Sequence, residues 1–584
     1  MKSFLKYTLA TITGIIVTSL LFTVIMIVTL GAMIASSDKP VSIDENSILV
    51  LNTGALIPER GSSDPFSSFD PLEMSFRPAA GINDILHNLE KASRDERIKG
   101  VLIENGPMIN GHGKASEIRD ALLKFRESGK FVISYTDYIL TQEAYYISTA
   151  ADKIWISPVA MFEFKGISSD IMFYTGALEK IGVDVQVIRH GRFKGAVEPY
   201  MNSSLSPENR AQIERFTDGI WEAMLSDIAE SRGISVKQLN QAADSLLTYD
   251  THKAVTMGLI DGRLYRDQML KELETLTGGE PELVSMTGYK NVSLPDKTEH
   301  EGRIAVVYAE GTIVMGKGSS SSIGGDSYAK IFRTIRENER YDAVVLRVNS
   351  PGGNAMASDL IWREVALTAE KIPVVVSMSN YAASGGYYIS APATVIYAHS
   401  ETLTGSIGIF GLIPQAGTLL EDKLGITSES VKTNRYADSP SFIRPMDGSE
   451  RIIMQQNIDR GYNDFISRVS DGRDIPVEEV DAMGEGHVFY GDDALANGLI
   501  DKIGGLNDAI AEAASLAGLE SYRITELPEE EDPYTKLLKS LSGEVKTSII
   551  ERELGADAIY WNDIRELRSL TGIQARLPYF LTLR

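Results

Sequence analysis

Val345-Leu346-Arg347-Val348-Asn349-Ser350-Pro351-Gly352-Gly353-Asn354 reads as a mostly apolar strand that ends at an asparagine and turns on two glycines. It has a counterpart 244 positions earlier in Val101-Leu102-Ile103-Glu104-Asn105, and the flanking segments match as well. Upstream, Ile48-Leu49-Val50-Leu51-Asn52-Thr53-Gly54 answers Ile304-Ala305-Val306-Val307-Tyr308-Ala309-Glu310-Gly311, with the glycines 257 apart. Downstream, Val132-Ile133-Ser134 and Val374-Val375-Val376 are each followed by Tyr-Tyr-Ile-Ser, at 145–148 and 387–390, an interval of 242. Late in each half, Gly258-Leu259-Ile260-Asp261 answers Gly498-Leu499-Ile500-Asp501 at an interval of 240. Matches that keep their order at a nearly constant interval mark a tandem duplication. Near-continuous apolar strands that alternate with helical stretches such as Ala355–Lys371 predict an α/β fold, with a largely parallel sheet covered by helices in each copy.

The copies are expected at residues 41–299 and 300–526, with the polar stretch 289–303 as linker. A tail, 527–584, opens with Pro528-Glu529-Glu530-Glu531-Asp532. Its helical pattern, ending in Leu577-Pro578-Tyr579-Phe580-Leu581, predicts an appended docking helix. The chain has 584 residues, too many for one core, which agrees with at least two domains. Its 57 basic and 80 acidic side chains give a net charge of −23, which argues against nucleic acid as a partner. With no cysteine, disulfides, thiolate nucleophiles and Cys-ligated metal are excluded, and no cofactor or metal is expected.

Residues 1–40 differ in character from the rest. Tyr7–Ser36 carries no charge and is rich in Leu, Ile, Val and Thr, while Lys2 and Lys6 precede it. Roughly 20 apolar residues cross a bilayer as a helix, so a transmembrane anchor is expected, with the N-terminus in the cytoplasm and the body outside. A cleaved signal peptide would have a shorter apolar region and a small-x-small site, which Ala32-Met33-Ile34 and Met33-Ile34-Ala35 do not provide.

A duplicated domain needs one set of catalytic parts, so differences between the copies are informative. Only the second copy has the paired Gly352-Gly353, where the first reads Asn105-Gly106-Pro107. Only the second has Ala382-Ala383-Ser384-Gly385-Gly386, where the first has Thr141-Gln142-Glu143-Ala144. Small neighbours leave room around the Ser384 hydroxyl, and a helix start favours developing negative charge. The plain alternative is an N-cap serine. The third difference runs the other way. Aligning Arg192-Phe193 with Arg435-Tyr436 sets Lys194 of the first copy opposite Ala437 of the second. Serine needs a base to act as a nucleophile, and a lysine made neutral by burial can serve. Of the seven histidines only His190 and His399 fall near these segments, and neither sits in a motif. Backbone N–H groups of Gly353 and Gly385 are candidate oxyanion donors. Two rivals stand beside this reading: a crotonase-type acyl-thioester enzyme, and a non-catalytic membrane scaffold on a degenerate peptidase fold.

Taken together, Asn349-Ser350-Pro351-Gly352-Gly353, Ala383-Ser384-Gly385-Gly386-Tyr387, Leu403-Thr404-Gly405-Ser406-Ile407-Gly408 and Phe193-Lys194-Gly195-Ala196-Val197-Glu198-Pro199 resemble the signal peptide peptidase A (protease IV) family in its long, duplicated form. The resemblance runs from the apolar N-terminal stretch to about residue 525 and leaves out the tail and the Ser-rich loop 316–325. It implies a tandem ClpP/crotonase-like fold, with Ser384 as nucleophile and Lys194 as general base, the two copies meeting to form one site. It further implies that Ser406 holds the lysine amine; the first copy has Phe164 at that register. The implied protein is a membrane-anchored serine endopeptidase and homotetramer of the bacterial inner membrane, its body in the periplasm, that degrades remnant signal peptides.

Overall fold

The computed structural model describes residues 6–7, 11–15, 17–19, 21, 43–61, 69–70, 75–76, 80–107, 110–294, 300–319, 321–529 and 572–577. The anchor expected over Tyr7–Ser36 lies largely outside them. Among the described residues no helix is long and apolar enough to cross a membrane.

Two parallel sheets repeat one topology. The first runs, edge to edge, Gly262–Arg263, Lys153–Ile156, Phe131–Thr136, Ile98–Asn105, Ser47–Asn52, Glu282–Ser285. The second runs Lys502–Ile503, Val395–Ala398, Val374–Ala383, Ala343–Ser350, Gly302–Glu310, Tyr522–Leu527, the same order in the chain. The far end of Val374–Ala383 also pairs with Leu403–Gly405, which pairs antiparallel with Val488–Tyr490. The repeated sequence motifs are explained by one contact. The Tyr145 hydroxyl donates to the Leu259 carbonyl at 2.9 Å, and the Tyr387 hydroxyl donates to the Leu499 carbonyl at 2.8 Å. In each copy the Asp that follows accepts a strand amide, Ile154 N–H at 2.9 Å and Ile396 N–H at 2.7 Å. Tyr-Tyr-Ile-Ser and Gly-Leu-Ile-Asp recur because each pair ties a helix and a returning loop to the same strand.

The copies share a core. Along Gly302–Glu310 the side chains alternate with period two. Ile304, Val306 and Tyr308 pack with the first copy's apolar residues, while Ala305, Val307 and Ala309 pack beneath the second copy's own helices. The second sheet is therefore covered on both faces, which is why its strands read as unbroken apolar runs. Arg347 interrupts one of them and faces the first copy. Its guanidinium donates to Glu59 at 2.7 Å, to Glu117 at 2.5 Å and to the Ser377 hydroxyl at 2.7 Å. Burial alone would raise the Glu59 pKa, but Arg347 and Lys114 beside it bring it down to about 2.

A third sheet crosses both copies. Its order is Ser322–Gly324, Thr312–Val314, Gly352–Asn354, Gly572–Arg576, Phe410–Gln415, Asp184–Arg189. Asp184–Arg189 of the first copy pairs antiparallel with Phe410–Gln415 of the second over six residue pairs. That pairing delivers the loop that follows, with Lys194, to the second copy. The strand at Gly572–Arg576 corrects the helical reading of that part of the tail: its conformation is set by main-chain pairing to strands on both sides, which a side-chain period does not register. Much of the tail lies outside the described residues.

Candidate active site

Ser384 stands where the strand Val374–Ala383 breaks into the helix Gly385–Ser390. Its φ of +54° is unusual for a residue with a Cβ. Neighbours on both sides fix the turn. The Ser384 N–H donates to the Gly405 carbonyl at 2.7 Å, and its carbonyl accepts the Tyr388 N–H at 2.8 Å. The turn tolerates no bulk, since a Cβ on Gly386 would come 2.7 Å from the Ser350 carbonyl oxygen. The Ser384 hydroxyl does not cap the helix, which removes the plain alternative for this serine. In the first copy the Thr141 hydroxyl does cap the corresponding helix, accepting the Ala144 N–H at 3.3 Å.

The side chain of Lys194 comes from the other copy, between the strand Asp184–Arg189 and the turn Gly195–Val197. Its Nζ lies 2.7 Å from Ser384 Oγ, 2.9 Å from the Ser406 carbonyl oxygen and 2.9 Å from Ser406 Oγ. Lys194, Ser384 and Ser406 are each 0% exposed. Burial is the one cause that moves the Lys194 pKa, and it holds the ammonium well below the ordinary value of 10.5. The loop is held from several sides. The Phe193 N–H donates to the Glu485 carbonyl at 3.0 Å, and its ring stacks on His487 at 4.6 Å. Gln212 donates to the Phe193 carbonyl at 3.0 Å and accepts the Val488 N–H at 3.1 Å, bridging the copies. Buried Glu198 accepts Asn209 Nδ2 at 2.7 Å and the Ser206 N–H at 3.1 Å, pinning the segment after the lysine.

Two glycines absent from the sequence-derived set shape the lysine's niche. A Cβ on Gly486, whose φ is +87°, would fall 2.7 Å from the Lys194 nitrogen. One on Gly408 would meet Lys194 Cδ at 3.2 Å. No spacing marks them, because the contact joins segments nearly 300 residues apart. On the other side of Ser384, Gly352 has φ +97°, and a Cβ there would stand 2.7 Å from the Gly385 nitrogen. Gly353, the expected donor, is its neighbour on the same short strand.

The two nearby histidines are engaged elsewhere. His190 stacks on Tyr462 at 3.9 Å and lies 2.9 Å from Asp459. His399 lies 3.9 Å from Asp120. The corresponding region of the first copy has no such niche. Phe164 is buried there against Tyr145 at 5.7 Å and Trp221 at 5.3 Å. The second-copy segment aligned with the lysine loop, Val431–Ala437, lies in a stretch, 425–447, with neither helix nor strand, and Val431 is 97% exposed. Among the described residues no group of acidic or histidine side chains could hold a metal ion.

A buried neutral amine against a serine hydroxyl can remove that hydroxyl's proton, and a serine so activated attacks acyl carbons. Comparison with known proteins points the same way. Residues 124–279 and 366–520, one stretch in each copy, match Peptidase family S49. The chain is similar to "Protease 4" of Salmonella typhi, 34% identical over 479 residues, 80% of this chain and 77% of that protein. It is similar to "Serine protease SPPA, chloroplastic" of Arabidopsis thaliana, 33% identical over 521 residues, 87% of this chain and 76% of that protein. A shorter relative, "Putative signal peptide peptidase SppA" of Enterococcus faecium, is 31% identical over 267 residues, 44% of this chain and 75% of that protein. With the family matched once in each copy, the chain belongs to peptidase family S49, as a serine peptidase of the duplicated kind.

Proposed function

We propose that the chain is a membrane-anchored endopeptidase that cuts remnant signal peptides, with Ser384 as nucleophile and Lys194 as general base. The observation that carries this reading is the 2.7 Å approach of Lys194 Nζ to Ser384 Oγ, both fully buried. The neutral amine takes the Ser384 proton as Oγ adds to the substrate carbonyl carbon. Backbone N–H groups of Gly353 and Gly385 receive the oxyanion; losing one such donor typically costs about 10²–10³ in rate. The Lys194 ammonium then gives its proton to the departing amine. Water, deprotonated by the same amine, releases the acyl group and restores Ser384. Ser406 orients the lysine throughout.

The remaining features belong to the same proposal. Each copy is of the ClpP/crotonase kind, the domains divide at residues 40, 299 and 526, and the protein works as a homotetramer. The apolar stretch Tyr7–Ser36 anchors it in a bacterial inner membrane, and Lys2 and Lys6 keep the short end in the cytoplasm and the body in the periplasm. The signal-peptide substrate is supported by the name of the Enterococcus faecium relative. Two experiments test the reading. Ser384→Ala abolishes turnover of a fluorogenic peptide, and near-normal turnover by that variant contradicts it. Protease added to intact spheroplasts digests the body; protection of the body would reverse the topology.

A further inference from the structure

The six-stranded sheet that joins the copies has an unusual centre. Its middle strand, Gly572–Arg576, is drawn from the chain's far C-terminus, and it fills a slot between two short edges beside Ser384. On one side it runs antiparallel to Gly352–Asn354, pairing Gln574 with Asn354, Ala575 with Gly353 and Arg576 with Gly352. On the other it runs antiparallel to the start of Phe410–Gln415, pairing Gln574 with Phe410 and Ile573 with Gly411. The Leu577 N–H continues the pairing by donating to the Pro351 carbonyl at 2.6 Å. Gln574 through Leu577 are buried, Ala575 completely. The Ala575 carbonyl oxygen points into the gap beside the nucleophile: a Cβ on Gly352 would lie 2.3 Å from it, and one on Gly385 would lie 3.0 Å from it. Both glycines flank the position where a substrate carbonyl must sit for Ser384 to reach it.

We propose that Gly572–Leu577 is an internal competitor, seated in the slot that an extended peptide substrate occupies, so that the enzyme must release its own tail before it binds another chain. This rests on the function proposed above. Three features of the contact argue for it. Pairing is through the main chain on both sides, which is how strand addition captures peptides of varied sequence. Withdrawing the tail leaves two facing rows of unpaired N–H and C=O groups, an arrangement that recruits another strand. The tail is also tethered, so it competes at an effective concentration on the order of millimolar for a short flexible connection. The substrate class that follows is an unfolded peptide, bound antiparallel to both Gly352–Asn354 and Phe410–Gln415, with a small residue where Ala575 lies.

The test compares the full chain with one ending at Glu529, both in detergent, on a fluorogenic peptide. Loss of the competitor should lower KM at least about tenfold and leave kcat within about twofold. A synthetic peptide of Gly572–Leu577, added to the shortened chain, should raise KM again without changing kcat. Because truncation could disturb folding, Ala575→Trp in the full chain is a second probe. A large side chain at a fully buried position expels the strand and keeps everything else, so the same fall in KM is expected. Equal KM values for all three chains, with no effect of the peptide, overturn the proposal while Ser384-dependent turnover leaves the catalytic reading intact. Turnover that survives Ser384→Ala overturns the catalytic reading, and this proposal with it.

Discussion

Lys194 Nζ has three oxygen neighbours at 2.7 to 2.9 Å, and a neutral amine satisfies them in one way. Its two N–H groups donate to the carbonyl and hydroxyl oxygens of Ser406, and its lone pair faces the Ser384 O–H. A charged ammonium would donate to all three but could take no proton. Lys194→Ala should therefore lose about 10²–10⁴ in kcat/KM, the range of general-base catalysis. The Lys194→Ala, Ser384→Ala double variant should be little worse than either alone, since residues acting as a unit are not additive. Lys194→Arg should not restore activity, because guanidinium stays charged. The pH dependence follows from the lowered pKa. Activity should rise with pH as the buried amine loses its proton, on a limb lying below the ordinary lysine value of 10.5. Stability carries the same sign. Between the lowered folded pKa and the unfolded value the unfolded chain binds more protons, so stability increases with pH across that window. Lys194→Met should flatten it, as read by Tm against pH. At Ser384 the positive φ predicts that Ser384→Gly, equally inactive, is at least as stable to heat as Ser384→Ala.

At the scale of elements, the helices after Thr141 and after Ser384 show how one repeat yields two outcomes. Thr141 caps its helix and Ser384 does not. Phe164 fills the first copy where Ser406 holds the lysine in the second. Phe164→Ala should cost about 3–5 kcal/mol by leaving a cavity, seen in denaturant unfolding, with kcat/KM of the folded fraction little changed. The elements differ in how far the sequence reveals them. The parallel strands were legible because burial on both faces leaves unbroken apolar runs, and duplication repeats them. Ser384 and Lys194 stood out because each copy lacks the other's residue. Ser406 was reached through family resemblance alone, as a serine after a glycine carries no distinguishing period. Gly408 and Gly486 could not be read, because their role is to leave room for a side chain from a distant segment. The strand at Gly572–Arg576 was misread as helical for a related reason: its partners, not its own side chains, decide its conformation.

In the whole molecule, the two copies are bound by a shared core and by charge. Fully buried Arg347 of the second copy sits between Glu59 and Glu117 of the first. Arg347→Ala would strand two buried carboxylates, and removing one partner of such a pair typically costs about 3–5 kcal/mol. The loss should appear in unfolding and, because the site is assembled from both copies, as loss of turnover at temperatures where the wild-type chain is still folded. The central claim is that a lysine from one copy activates a serine of the other, 190 residues away. A serine-directed peptidyl phosphonate tests it most directly, with the modified residue mapped by mass spectrometry and the rate compared between wild type and Lys194→Ala. The label should map to Ser384, and its rate should fall at least about 100-fold without the lysine. Labelling of another residue, or a wild-type rate in Lys194→Ala, would contradict the claim.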